Sequence, residues 1–172
     1  GVTWHQIPKA VGSSFEVVGI DDIRITAVPL SSKAPPFSPH RHDPHEGDNI
    51  GIQLEDTRSG KKLFYAPGLA SIEAHLLPFM QQADCLMVDG TCWTNDEMQA
   101  LGISNKLSLD MGHMPQSGPD GMVEALKQFS ASKKILIHIN NTNPILREDS
   151  RERAMLQQEK IDVAFDGMDF SL

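Results

Sequence analysis

The feature that most constrains the fold is an apolar run close to the C-terminal end of the sequence. From Lys134 to Ile139 the chain is apolar after the first residue, and His138 is the one interruption. Apolar side chains on both faces of a strand are typical of a sheet that other elements cover on both sides, as in parallel α/β proteins. The run therefore predicts a buried inner strand that carries one polar side chain near its end.

Strand and helix patterns alternate along the rest of the chain. Apolar and polar residues alternate at 50–54, and a turn at 57–60 predicts a hairpin partner at 62–66. Further strands are predicted at 15–19, 23–28, 85–88 and 161–165. The predicted helices begin near Ser71, Pro119 and Asp149, and Pro78 should kink or end the first of them. The alternation predicts an α/β class within one domain of 172 residues.

Composition excludes several classes of protein. The formal net charge is −8 and the Lys and Arg residues are not clustered, which is a poor match for the phosphate neutralisation that nucleic-acid binding requires. No apolar stretch approaches the roughly 18 residues of a membrane span. The two cysteines, Cys85 and Cys92, form neither a disulfide framework nor a paired zinc motif. We therefore expect a reduced, cytoplasmic protein with no nucleic-acid partner and no membrane span.

His138 is the sharpest candidate for a functional side chain. It stands at the end of the predicted inner strand, directly before the polar loop Asn140 to Pro144. Open α/β sheets bind ligands at the carboxyl ends of their strands, and an imidazole there can coordinate a metal. The alternative is a core histidine with a satisfied hydrogen bond, in which case the loop asparagines are only turn formers.

A proline-rich loop at 31–48 carries a second group of histidines. Prolines exclude a helix or a central strand there, and a connection of this length is usually functional or disordered. His40 and His42 alternate, so both rings project to one side of an extended segment and could bind a metal. The alternative is that the loop exposes histidines without binding anything.

Two more loop residues lie next to predicted elements. Asp89 comes directly after the strand at 85–88, where it could be a ligand, a base or a plain turn residue. His113 lies shortly before the helix near Pro119, and it could donate to an anionic intermediate or only to water. Cys92 has no basic neighbour that would lower its pKa, so the sequence gives no reason to predict a nucleophilic cysteine.

Several of these stretches, taken together, point to a known family. They occur in one order along nearly the whole chain: Ala34 to Arg41, Gly47 to Gly51, Leu63 to Gly68, Val88 to Thr91, Met111 to His113, His138 to Pro144 and Val163 to Met168. In these stretches the chain resembles the coenzyme PQQ synthesis protein B family. The resemblance implies an α/β (αββα) metallo-β-lactamase-like sandwich, with residues 1–172 as the C-terminal part of one domain that is incomplete at the N-terminus.

The resemblance also implies where a metal would bind. In that fold an N-terminal HxHxDH-type loop supplies most ligands, and a late histidine after a core strand supplies another. His138 matches the late position, and His40 or His42 falls near the place of a middle ligand. Many relatives have a bridging aspartate after the hairpin, where this chain has Gly68, which argues against a full two-metal hydrolase centre.

A role in making the quinone cofactor PQQ (pyrroloquinoline quinone) follows from the same resemblance. It implies metal-dependent oxidation or hydroxylation of a tyrosine-derived precursor that comes from a peptide, with Fe(II) or Zn(II) as the divalent metal. His113 would then orient the phenolic substrate. The alternative is a carrier that assists transport of PQQ or its precursor to the periplasm without catalysis. Missing N-terminal strands would leave sheet surface uncovered, so a homodimer is also expected.

Overall fold

The structure is a computed structural model that describes residues 1–8, 11–34, 37–41, 43 and 45–172. In this part of the chain one mixed sheet has its strands side by side in chain order. They are β1 (Ser14–Phe15), β2 (Ile23–Pro29), β3 (Ile50–Asp56), β4 (Lys62–Ala66), β5 (Cys85–Asp89), β6 (Lys133–Ile137) and β7 (Asp162–Val163). Neighbours from β1 to β4 are antiparallel, and neighbours from β4 to β7 are parallel.

Short helices connect the parallel strands. They are α1 (Leu77–Gln82), α2 (Glu97–Ala100), α3 (Ser108–Met111), α4 (Met122–Leu126) and α5 (Arg151–Gln158), and a 3-10 helix spans Pro144–Leu146. The larger core lies between one face of the sheet and α1, α4 and α5, where Phe64, Leu86 and Leu136 meet Met80 and Leu126. The predicted α/β class is confirmed. The sheet and the helices packed on one of its faces correspond to one half of the predicted αββα sandwich.

The opposite face of the sheet is apolar but only partly covered. Cys85, Ile135 and Ile137 form a small cluster there, under the C-terminal segment that contains Met168 and Phe170. Toward β2 the same face is half-buried, and Tyr65 is 37% exposed. We call this half-buried part the open face; its members are Ile25, Ile52, Leu54, Leu63, Tyr65 and Met87.

Three predicted boundaries change in the structure. Pro78 lies in the first turn of α1 and begins the helix instead of ending it, because first-turn positions need no backbone donor. The cap of α5 is Ser150, which accepts from the Arg153 N–H at 3.0 Å, whereas Asp149 pairs with Arg147. β6 ends at Ile137, so His138 follows the strand. None of the helices in the described ranges is long and apolar enough to cross a membrane.

Candidate metal centre

Asp89 is the buried centre of the candidate site. It is the last residue of β5, and its side chain is 0% exposed. Its Oδ1 accepts from the backbone N–H of Thr91 at 3.0 Å and from the Thr91 hydroxyl at 2.6 Å. Its Oδ2 accepts from the Leu69 N–H at 2.9 Å and contacts His113 Nδ1 at 2.6 Å. A carboxylate has about four acceptor positions, so these contacts use its full capacity.

His113 is placed by the end of α3. Gly112 caps that helix with φ +96°, and a Cβ at this position would lie 2.6 Å from the Ser32 hydroxyl, which donates to the Gly112 carbonyl at 2.7 Å. The next residue is thereby turned toward β5, where the ring meets Asp89. A carboxylate can only accept, so Nδ1 of His113 carries the proton and Nε2 keeps its lone pair.

His138 directly follows β6 and is exposed. Its φ of +54° lies in the left-handed region, which is uncommon for residues other than glycine and concentrates at functional sites. The Thr91 hydroxyl lies 2.9 Å from His138 Nδ1 and 3.0 Å from the His138 carbonyl. The single hydroxyl proton of Thr91 is directed to Asp89 Oδ1 or to that carbonyl, both of which can only accept. His138 Nδ1 is therefore the donor in its contact with the Thr91 oxygen. The Nε2 lone pair of His138 is then free to bind a ligand.

Gly90 brings the ends of β5 and β6 together. Its N–H donates to the Ile137 carbonyl at 2.7 Å. A Cβ at this position would lie 2.9 Å from that carbonyl and from the Leu136 Cβ, so a larger residue would push the strands apart. Asn143 supports the same junction, because its side chain donates to the Gly90 carbonyl at 2.8 Å and accepts from Ile145 N–H. The close packing keeps Asp89 and His138 at one edge of the sheet.

The three side chains converge on one small volume. The rings of His113 and His138 stack with centroids 5.0 Å apart and planes inclined by 27°. One potential ligand atom from each histidine and one from Asp89 all lie within 4.8 Å of one another. Imidazole and carboxylate donors suit Zn(II) and Fe(II), so the donor chemistry fits a divalent metal. Coordination by Asp89 Oδ2 requires His113 to give up its present hydrogen bond.

An open pocket of about 480 Å³ lies in front of the two histidines. Other residues that line it are Ser32, Lys33, Arg41, Asn49, Pro67, Gly68, Lys106 and Met111. Its size falls within the range of small-molecule sites. A substrate held there would face the exposed ring of His138 and the half-buried ring of His113, whereas Asp89 is fully buried.

The predicted site residues do not all meet. His113, Asp89 and His138 come together, whereas His40 is exposed and contacts His45, with ring centroids 4.3 Å apart and planes inclined by 50°. His42 lies outside the described residues. Arg41, from the same loop, lines the pocket instead. Gly68, in the loop after β4, also lines the pocket, and the carboxylate of the cluster comes from β5.

Thr91 is the functional residue that the sequence reasoning missed. It belongs to the stretch Val88 to Thr91, in which the sequence alone indicates no role for its hydroxyl. An Asp-x-Thr sequence at a strand end could have suggested the contact between Thr91 and Asp89, because an Asp side chain commonly accepts from the backbone N–H two residues on, which brings the Thr hydroxyl beside the carboxylate. The contact with His138 depends on the pairing of β5 with β6, which the sequence does not specify.

The cysteines take no part in this centre. Both are buried, and burial raises the pKa of each thiol to about 11. A thiol with such a pKa is largely protonated near neutral pH and reacts slowly. The structure therefore agrees with the expectation that neither cysteine is a nucleophile.

Comparison with known proteins places the chain in a family. The sequence model of the beta-lactamase superfamily domain matches residues 1–139. Coenzyme PQQ synthesis protein B of Methylobacillus flagellatus is 57% identical over 172 residues, and the match covers 100% of this chain and 56% of that protein. The same-named protein of Nitrosococcus oceani is 57% identical over 175 residues, covering 99% of this chain and 57% of that protein. The chain thus spans a little over half the length of these relatives.

Solved structures give the same fold. A crystal structure of Zn(2+)-bound PqqB from Methylobacterium extorquens matches with a TM-score of 0.85 and 31% identity, covering 95% of this chain and 54% of that one. The short form of human tRNase Z matches with a TM-score of 0.53 and 15% identity, covering 92% of this chain and 46% of that one, which shows the fold alone. The chain therefore belongs to the beta-lactamase superfamily and, within it, is similar to coenzyme PQQ synthesis protein B.

Proposed function

We propose that this chain serves the biosynthesis of PQQ and that Asp89, His113 and His138 provide the protein's donors to a divalent metal. The observation that carries the proposal is the convergence of two imidazoles and one carboxylate within 4.8 Å. The similarity to coenzyme PQQ synthesis protein B supports the pathway, and the zinc in the related crystal structure supports a metal in this fold.

The composition of the donor set favours metal-dependent oxidation or hydroxylation. Two histidines and one carboxylate, with positions left open, form the ligand set that non-haem Fe(II) oxygenases use. A bound Fe(II) would supply the redox chemistry that O₂ requires. The substrate would be a tyrosine-derived precursor that comes from a peptide. The pocket in front of His113 and His138 has room for such a molecule, and Pro67 and Met111 supply apolar surface for its ring.

His113 has a second possible role in the same reaction. Asp89 holds its Nδ1–H, so Nε2 faces outward and can accept the proton of a phenol, as oriented histidine bases do. Substitution separates the two roles. If His113→Ala keeps the metal affinity but loses turnover, His113 acts on the substrate; if both fall together, it is a ligand. The predicted ligands His40 and His42 are tested in the same titration by His40→Ala and His42→Ala.

The alternative function is a carrier for PQQ or its precursor. A pocket that binds a small molecule does not by itself require chemistry, and the described residues supply three donors at most in one cluster. The test is to incubate the Fe(II)-loaded chain with the precursor and measure O₂ and precursor consumption. Catalytic consumption supports the oxygenase. Stoichiometric binding without turnover supports the carrier and contradicts the enzyme proposal.

A further inference from the structure

The charge of the pocket is opposite to the charge of the whole chain. The chain carries a formal net charge of −8. Among the described residues that line the pocket, however, Lys33, Arg41 and Lys106 are cationic, and Asp and Glu are absent. Asp89 is fully buried, and its hydrogen bonds go to Leu69, Thr91 and His113, so it is not paired with any of these cations. The pocket is therefore a positive site on an acidic protein.

No carboxylate of the described residues pairs with these three cations. Within the described ranges, which include every Asp and Glu of the chain, none of the three has a carboxylate within 4.0 Å, whereas Lys61 pairs with Asp84 at 2.7 Å. Lys33 Nζ donates to the Asp110 carbonyl and Arg41 Nη1 donates to the Ala34 carbonyl. Backbone carbonyls thus orient these two side chains but leave their full charge and further N–H donors available.

We propose that this pocket binds its substrate through carboxylate groups of the substrate, with Lys33, Arg41 and Lys106 as the residues that recognise them. The inference rests on the proposed function, because a precursor made from a peptide carries carboxylates by its chemistry. Arg41 can bind a carboxylate through two parallel N–H bonds, and the two lysines add mobile point charges. The substrate's anionic groups would then hold its ring in front of His113 and His138.

The test uses the whole chain, freed of metal on a chelating resin, and isothermal titration with benzene-1,3,5-tricarboxylate. The neutral tricarboxamide and inorganic phosphate are the comparison probes. The variants are Lys106→Gln and the double variant Lys33→Gln/Lys106→Gln. The matched control is Arg151→Gln, which removes one exposed cation from α5 that does not line the pocket. Thermal melts check that each variant folds.

The tricarboxylate should bind saturably and the tricarboxamide should not. Lys106→Gln should weaken binding by about fivefold, the double variant by more, and Arg151→Gln by less than about twofold. Equal weakening by Arg151→Gln, or tighter binding of phosphate than of the tricarboxylate, would overturn the inference. Zn(II) is titrated in parallel. If the wild-type chain binds Zn(II) but not the tricarboxylate, this inference alone is refuted, whereas a wild-type chain that binds the tricarboxylate but not Zn(II) refutes the metal proposal.

Discussion

Replacing Thr91 by Val tests whether its hydroxyl fixes the two sides of the centre. Val has nearly the same shape, so the substitution leaves no cavity and removes only the hydroxyl. That group contacts Asp89 Oδ1 at 2.6 Å, His138 Nδ1 at 2.9 Å and the His138 carbonyl at 3.0 Å. A hydrogen bond to a charged partner contributes about 1.5–3 kcal/mol, and Thr91 is 6% exposed, so water cannot fully replace it.

We therefore expect Thr91→Val to lower the free energy of unfolding by about 2–3 kcal/mol, measured by urea denaturation of the metal-free protein. Metal affinity should fall by about 10–100-fold, the usual effect of losing a group that orients a ligand. Thr91→Ser keeps the hydroxyl and should retain most of the affinity. Zn(II) titration against a competing chelator measures these values.

A structural role alone would not change the tautomer of His138. Nitrogen NMR of the imidazoles should show a proton on Nδ1 in the wild type and in Thr91→Ser, and a mixture of tautomers in Thr91→Val. Thr142→Val is the matched control, because Thr142 donates to the buried Glu97 carboxylate without contacting the His138 ring. If Thr91→Val keeps both the wild-type tautomer and the wild-type affinity, the assignment of Thr91 is refuted.

Three further predictions concern packing and reactivity. Gly90→Ala should destabilise the fold by about 1–3 kcal/mol through overpacking, whereas Gly68→Ala should not, because no atom lies within 4 Å of a Cβ at Gly68. Equal urea denaturation midpoints for the two variants would contradict this prediction. Burial raises the pKa of Cys85 and Cys92 from 9.0 to about 11, so both should react with iodoacetamide at pH 8 roughly 100-fold more slowly than a free thiol. Labelling at the rate of a free thiol would refute their burial. The open face should cause self-association, seen as a dimer in sedimentation velocity that Ile52→Lys converts to monomer; a wild-type monomer that binds no hydrophobic dye would contradict this prediction.

The sequence predicted those parts of the fold that depend on local pattern. Alternation at 50–54 predicted β3, and the apolar run before His138 predicted β6 as an inner strand. The apolar residues Met122, Leu126 and Phe129, predicted for one helix face, are all buried. The helices α2 and α3 were not predicted, because four residues are too few for a helical period to be seen in the sequence.

The sequence could predict only those site residues that stand at the end of a predicted strand. Asp89 and His138 both stand at strand ends, so their positions could be inferred from the ends of the predicted strands. The approach of His113 depends on the turn at Gly112, and the bridge through Thr91 depends on the register of Asp89 opposite Ile137. The sequence favoured His40 and His42 as partners of His138, but the His40 ring contacts His45, which a pattern of histidines cannot show.

The most direct test of the central claim is the metal affinity of the chain when His138 is removed. Isothermal titration with Zn(II), and with Fe(II) under anaerobic conditions, is carried out on the wild type, His138→Ala and the control His5→Ala, whose side chain is exposed near the start of the chain. We predict one metal per wild-type chain, an affinity lower by at least about tenfold in His138→Ala, and no change in His5→Ala. Equal affinity in all three proteins would contradict the metal centre.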